Sequence, residues 1–124
     1  MSDKKRILLV EDEPQMAELI KMRLESQPYE VYVIHDGKEG YEMAKMRNPD
    51  LIILDLMLPS MDGYKICGLL KRDGRYAKIP VLIFTAKAQE EDRQLAQEAG
   101  ADAYMTKPFE AKALLAKIEE LLNG

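Results

Sequence analysis

The sequence predicts an α/β fold: one doubly wound parallel sheet, with its five strands in the order 2-1-3-4-5 alternating with five helices, over residues 1–124. Three observations predict it. Ile7-Leu8-Leu9-Val10, Leu51-Ile52-Ile53-Leu54 and Val81-Leu82-Ile83-Phe84 are apolar runs without polar interruption, the pattern of strands buried on both faces. Each run is followed by a segment with apolar residues at helical spacing, and strict alternation implies right-handed crossovers with helices on both sides of the sheet. Each run also stops on a polar residue, where open α/β sheets place their ligands.

Strand one, Ile7 to Val10, ends on Glu11-Asp12-Glu13. Pro14 suits the first position of a helix, where no N–H is needed, and Met16, Ala17, Leu19, Ile20, Met22 and Leu24 carry that helix to Gln27-Pro28. Strand two, Val31 to Ile34, is closed by His35-Asp36-Gly37. Asp36 with Glu39 resembles a capping box that opens the second helix, and Asn48-Pro49 ends it. Strand three, Leu51 to Asp55, gives way to Pro59 and Asp62-Gly63, which are turn residues. The third helix runs from Gly63 to Arg72 with Ile66, Leu69 and Leu70 inward. Strand four, Val81 to Phe84, ends on Thr85, and a charged helix over Glu90 to Ala99 places Leu95, Ala96 and Ala99 on one face before Gly100 stops it. Strand five, Ala103 to Met105, is less apolar, as suits an edge. The last helix shows a stripe of Leu114, Leu115, Ile118, Leu121 and Leu122.

A chain of 124 residues, 47% hydrophobic and 32% charged, is one globular domain with room for a core. The net charge of −4 argues against direct nucleic-acid binding by this chain alone. Lys4-Lys5-Arg6 reads as a solvated strand entrance. The one cysteine, Cys67, excludes an internal disulfide framework or a cysteine-rich zinc site and falls on an inward helical position. The sequence shows no signal peptide and no long apolar span, so a cytoplasmic location without membrane contact is expected.

Strands one and three are neighbours in this flavodoxin-like order, so Glu11, Asp12 and Asp55 are expected to converge. Three close carboxylates repel, and burial without a cation pushes at least one toward its protonated form. A hard divalent cation relieves this, and carboxylates with carbonyls and waters are what Mg²⁺ accepts. Lys107, at the end of strand five, adds a positive charge, and Thr85 adds a hydroxyl suited to a phosphoryl or carboxyl oxygen.

Four motifs in this order and spacing resemble the receiver domain of bacterial two-component response regulators. They are Val10-Glu11-Asp12-Glu13-Pro14, the segment from Asp55 to Gly63 ending Leu58-Pro59-Ser60-Met61-Asp62-Gly63, Phe84-Thr85-Ala86, and Lys107-Pro108-Phe109. The resemblance covers essentially the whole chain. It implies that Asp55 is the phospho-acceptor, attacking a phosphohistidine of a sensor histidine kinase or phosphotransfer protein. It implies a Mg²⁺ site of Asp12, Asp55 and the Met57 carbonyl, with Glu11 acting through water. Lys107 pairs with the phosphoryl group, Thr85 rotates to bond it, and Tyr104 follows Thr85 as the switch aromatic. Ala86 leaves room at the backbone, Lys107-Pro108 matches the family's cis peptide bond, and Met57 and Lys87 flank the site where the family varies.

The resemblance also implies an output face of the fourth helix, fifth strand and fifth helix, acting on a downstream effector protein or output domain. In receivers that precede winged-helix DNA-binding domains this face dimerises through charged pairs. Here Ala103 and Ala113 stand where that pattern has acids, while Arg93 and Lys117 remain. A monomer, or a phosphorylation-dependent dimer in another register, is therefore expected.

Two rival functions share the fold. A flavin-binding electron-transfer protein needs a phosphate cradle after strand one, and Glu11-Asp12-Glu13 repels phosphate. A phosphohydrolase with an aspartyl nucleophile needs an acid–base carboxylate two residues on, and that position is Met57. The expectation is a phosphorylation switch that promotes its own phosphorylation and dephosphorylation, not a turnover enzyme.

Overall fold

The computed structural model describes residues 4–124. Its elements are β1 (Lys5–Val10), α1 (Pro14–Glu25), β2 (Tyr29–Ile34), α2 (Gly37–Arg47), β3 (Leu51–Leu54), α3 (Gly63–Lys71), β4 (Val81–Thr85), α4 (Glu90–Glu98), β5 (Ala103–Thr106) and α5 (Ala111–Asn123). The strands form one sheet in the order β2-β1-β3-β4-β5, and every neighbouring pair is parallel. This is the doubly wound order the apolar runs predict.

The pleat divides each central strand between two cores. Leu8, Val10, Ile52, Leu54, Val81 and Ile83 face Ala44 of α2, Ile66, Cys67 and Leu70 of α3, and Ala96 of α4. Ile7, Leu9, Leu51, Ile53, Leu82 and Phe84 face Ala17, Ile20 and Leu24 of α1 with Leu114 and Ile118 of α5. Each fully buried Leu or Ile is worth about 1.5–3 kcal/mol of transfer free energy, so the central strands are fixed firmly. Their carboxyl ends are fixed with them.

The helix ends follow local chemistry. Pro14 opens α1. Asp36 caps α2 by accepting from the Glu39 N–H at 2.9 Å, and its other oxygen takes the Ser60 hydroxyl at 2.7 Å. Asp62 caps α3 through the Lys65 N–H at 2.9 Å. Gly100, at φ 94°, ends the turn after α4 in the left-handed region that glycine favours.

Three features differ from the expected pattern. β1 and β2 each start two residues early, because Lys5 and Arg6 still pair with Tyr29 and Glu30 although their side chains are polar. On α1 the inward stripe is Ala17, Ile20 and Leu24, which leaves Leu19 and Met22 exposed. On α4 the inward positions are Asp92 and Ala96, and Leu95 is 48% exposed. Leu95 lies about 100° round the helix from Ala96. Asp92 can face inward on the i, i+4 stripe because the Tyr64 hydroxyl on α3 donates to its carboxylate at 3.2 Å.

Candidate functional site

The site forms where the strands run out of ladder partners. The Glu11 N–H donates to the Ile34 carbonyl at 2.9 Å, the Asp55 N–H to the Val10 carbonyl at 3.1 Å, and the Lys107 N–H to the Thr85 carbonyl at 2.8 Å. The backbone pairing thus extends one step past β1, β3 and β5. Glu11, Asp55 and Lys107 are the residues that step places at the sheet's carboxyl edge.

One carboxylate oxygen each from Glu11, Asp12 and Asp55 lies within 4.8 Å of the others, a grouping able to hold a metal ion. Glu11 and Asp55 are buried, and Asp12 is exposed. The expected convergence is therefore present. The donor set fits a hard divalent cation: all oxygen, more than one carboxylate, and an exposed member open to water.

Lys107 enters from the far side. Its Nζ donates to Glu11 Oε1 at 2.5 Å and to Asp55 Oδ2 at 2.9 Å. The remaining oxygens are also bonded, Asp55 Oδ1 by the Met57 N–H at 3.3 Å and Glu11 Oε2 by the Glu13 N–H at 3.2 Å. Phe84 lies behind the ammonium, 5.8 Å from Nζ to the ring centroid, and packs edge-on against Phe109 at 5.7 Å. The Lys107-Pro108 bond is cis.

The two sides of the Lys107–Glu11 pair shift in ways that favour opposite outcomes for its charge. Burial works against the Lys107 ammonium, but its bonds to Glu11 and Asp55 outweigh burial and hold its pKa above the ordinary value. Burial raises the Glu11 carboxyl, and the Lys107 and Glu13 bonds only partly offset it. The difference follows from burial and neighbours together: the Glu11 side chain is 2% accessible and faces the Asp55 charge, whereas that of Lys107, 12% accessible, has two carboxylate partners. Lys107 stays charged, and Glu11 is the member under electrostatic stress.

Thr85 and Tyr104 are joined through the backbone of one residue, Lys87. Thr85 Oγ1 accepts from the Lys87 N–H at 3.2 Å, and the Tyr104 hydroxyl donates to the Lys87 carbonyl. The Arg93 guanidinium lies 4.8 Å from the Tyr104 ring centroid. Met57 is 62% exposed and touches the site through its backbone N–H. Sequence reasoning missed His35, which is exposed yet places Nδ1 2.8 Å from the Glu11 carbonyl oxygen. Bonding a carbonyl requires the proton on that nitrogen. It also read Gly63 only as a turn residue, although a Cβ there would lie 2.2 Å from the Asp55 carbonyl oxygen.

Comparison with known proteins decides what this arrangement is. The response regulator receiver domain family matches residues 7–119. The chain belongs to that family. It is 44% identical over 118 residues to the DNA-binding dual master transcriptional regulator RpaA of Synechocystis, covering 95% of this chain and 49% of that protein. It is 41% identical over 119 residues to the alkaline phosphatase synthesis transcriptional regulatory protein PhoP of Bacillus subtilis, covering 96% of this chain and 49% of that protein. The chain thus spans about half the length of these curated relatives. Among solved structures, the receiver domain of the sensor histidine kinase PA1611 from Pseudomonas aeruginosa superposes with a TM-score of 0.90. The two are 30% identical, the match covers 98% of this chain and 99% of that one, and that receiver carries a magnesium ion coordinated in its active-site cleft. This receiver is a module of phosphorylation-based two-component signalling, and the flavin-binding alternative is not favoured.

Proposed function

We propose that Asp55 is the phospho-acceptor of this receiver. One observation carries the reading: Asp55 Oδ2 is bonded by Lys107 at 2.9 Å, while Asp55 shares a cluster within 4.8 Å with the Glu11 and Asp12 carboxylates. A carboxylate so placed is buried at the mouth of the sheet, oriented by two donors, and faces both a cation and a cation-binding group.

In this reading an Asp55 oxygen attacks the phosphorus of a phosphohistidine on a sensor histidine kinase or phosphotransfer protein. The phosphorus–nitrogen bond breaks and the histidine leaves with the electron pair. Asp12, Asp55 and the Met57 carbonyl would hold Mg²⁺, with Glu11 reaching it through water. The ion supplies positive charge to the phosphoryl oxygens. Lys107 turns from the Asp55 carboxylate to the new phosphoryl group. Thr85 exchanges the Lys87 N–H for a bond to a phosphoryl oxygen, and Tyr104 responds because it holds the carbonyl of the same residue. The α4–β5–α5 face then signals to an effector protein or output domain. The protein acts as a switch, not a turnover enzyme, in the cytoplasm. Among the described residues no helix is long and apolar enough to cross a membrane.

The test is labelling with acetyl phosphate and Mg²⁺. One acid-stable, base-labile phosphoryl group is expected per chain, and Asp55→Asn, which keeps the size and removes the charge, abolishes it. Undiminished labelling of Asp55→Asn sinks the assignment.

A further inference from the structure

α4 is held by little apolar surface. Its buried residues are Asp92 and Ala96, and it has no side-chain bond at its N-cap. Residues 86–89, which lead into it, are all exposed. Asp92 itself is only 9% accessible, and a carboxylate in such a place is costly unless a donor meets it.

Tyr64 of α3 is that donor. Its hydroxyl oxygen lies 3.2 Å from Asp92 Oδ1 and 3.0 Å from the Asp92 carbonyl oxygen. The one hydroxyl proton faces both acceptors, shared in a three-centre bond or exchanging between them. Burial first, then Asp92, pushes the Tyr64 hydroxyl up to about 12, which keeps it a donor at any physiological pH. On the other side, Tyr104 of β5 donates to the Lys87 carbonyl. Two tyrosine hydroxyls, from α3 and β5, therefore hold the segment from Lys87 to Asp92 at its two ends.

We propose that Tyr64 is a positioning residue whose hydroxyl latches the first turn of α4 to α3 in the unphosphorylated protein, so that this bond sets how readily the β4–α4 segment yields when Asp55 is modified. The inference rests on the reading of Asp55 as the acceptor. Its physical basis is the kind of attachment involved. A large apolar side chain at position 92 would anchor α4 by contact area, whereas a hydroxyl–carboxylate bond is either made or broken. The segment it restrains begins at Lys87, whose N–H must leave Thr85 Oγ1 if that hydroxyl is to turn elsewhere.

Tyr64→Phe keeps the ring beside Leu56, Met57 and Leu58 and removes only the hydroxyl. Two measurements read the consequence: amide hydrogen exchange without ligand, and titration with beryllofluoride and Mg²⁺ as the phosphoryl mimic. In Tyr64→Phe, exchange over residues 87–95 is expected to rise several-fold. The mimic is expected to bind about five-fold tighter, the worth of one ordinary hydrogen bond. Asp92→Asn keeps an acceptor oxygen and the backbone carbonyl for Tyr64, and should stay nearer the wild type than Tyr64→Phe in both measurements. Unchanged or weaker binding by Tyr64→Phe overturns the latch even if exchange rises, and an Asp92→Asn that behaves like Tyr64→Phe overturns the bond as its cause. No binding by the wild type overturns the reading of Asp55, and the role of the latch with it.

Discussion

Lys107 Nζ sits 2.9 Å from Asp55 Oδ2, joining the end of the edge strand to the end of the central one. The same ammonium bonds Glu11, so two buried carboxylates depend on one cation. Lys107→Ala leaves both without it. Breaking a buried pair from one side costs about 3–5 kcal/mol, and we expect a loss near the lower figure because the cluster opens to solvent at the exposed Asp12. Urea unfolding without metal measures it, and a loss under about 0.5 kcal/mol would show that the pair does not support the fold. On the proposed reading, in which Asp55 accepts the phosphoryl group and Lys107 pairs with it, phosphorylation should persist in part with its structural consequence blunted.

Mg²⁺ should raise the thermal midpoint of the wild-type protein. A cation held there would relieve repulsion among Glu11, Asp12 and Asp55, which lie within 4.8 Å, and a ligand that binds only the folded state stabilises it by mass action. Asp12→Ala removes the exposed member of the cluster and should abolish the metal-dependent rise. A rise of the same size in Asp12→Ala would place the metal elsewhere.

Gly63 opens α3 directly against the backbone of Asp55, the proposed acceptor. A Cβ would stand 2.2 Å from the Asp55 carbonyl oxygen and 2.9 Å from Leu56 Cα, and neither is a flexible side-chain end. Gly63→Ala must therefore push the Asp55 backbone or the helix start. A loss of about 1–3 kcal/mol is expected from such overpacking, together with slower labelling of Asp55. Wild-type labelling and stability in Gly63→Ala would contradict this geometry.

Asp36 gives the acid side of the stability profile a testable part. The Glu39 N–H first, then the Ser60 hydroxyl, hold its carboxyl below its ordinary value of 3.8. A carboxyl whose folded pKa is depressed contributes stability above the unfolded value, and that contribution is lost as pH falls through the folded one. Asp36→Asn keeps a capping oxygen but no charge. It should be less stable than the wild type at pH 6, and the gap should close as pH falls below 3.8. Urea midpoints at several pH values measure this, and a gap that stays constant would mean the charge is not the cause.

How much of this was legible in the sequence depended on whether a feature left a local signal. β1, β3 and β4 were plain because burial on both faces removes polar residues from a strand. Glu11, Asp55 and Thr85 were plain because each breaks an apolar run where the strand leaves the sheet, and Lys107 because it opens Lys107-Pro108-Phe109 just past strand five. The first pairs of β1 and β2 were not, since Lys5 and Arg6 join by backbone alone. Asp92 was hidden for a different reason. Helical periodicity expects a leucine inward, and the hydroxyl that makes the carboxylate acceptable stands 28 residues away. The His35 bond to the Glu11 carbonyl spans 24 residues and leaves no periodic trace either.

The last prediction concerns the α4–β5–α5 face. The resemblance to receivers that dimerise there through charged pairs requires acids that Ala103 and Ala113 replace. The cations left behind have partners within the chain: the Arg93 guanidinium stacks 4.8 Å from the Tyr104 ring centroid, and Lys117 Nζ pairs with Glu120 Oε2 at 2.8 Å one turn along α5. Bringing two such faces together would set cation against cation and draw each from its own partner. Exposed ion pairs are worth only about 0–1 kcal/mol apiece, so new charge pairs on this face would not offset that cost. Small-angle scattering with beryllofluoride and Mg²⁺ should therefore find a monomer, or a dimer in another register. A symmetric dimer through this face with Arg93 and Lys117 in salt bridges to the second copy, seen in a crystal structure of the activated form, would show the argument to be wrong.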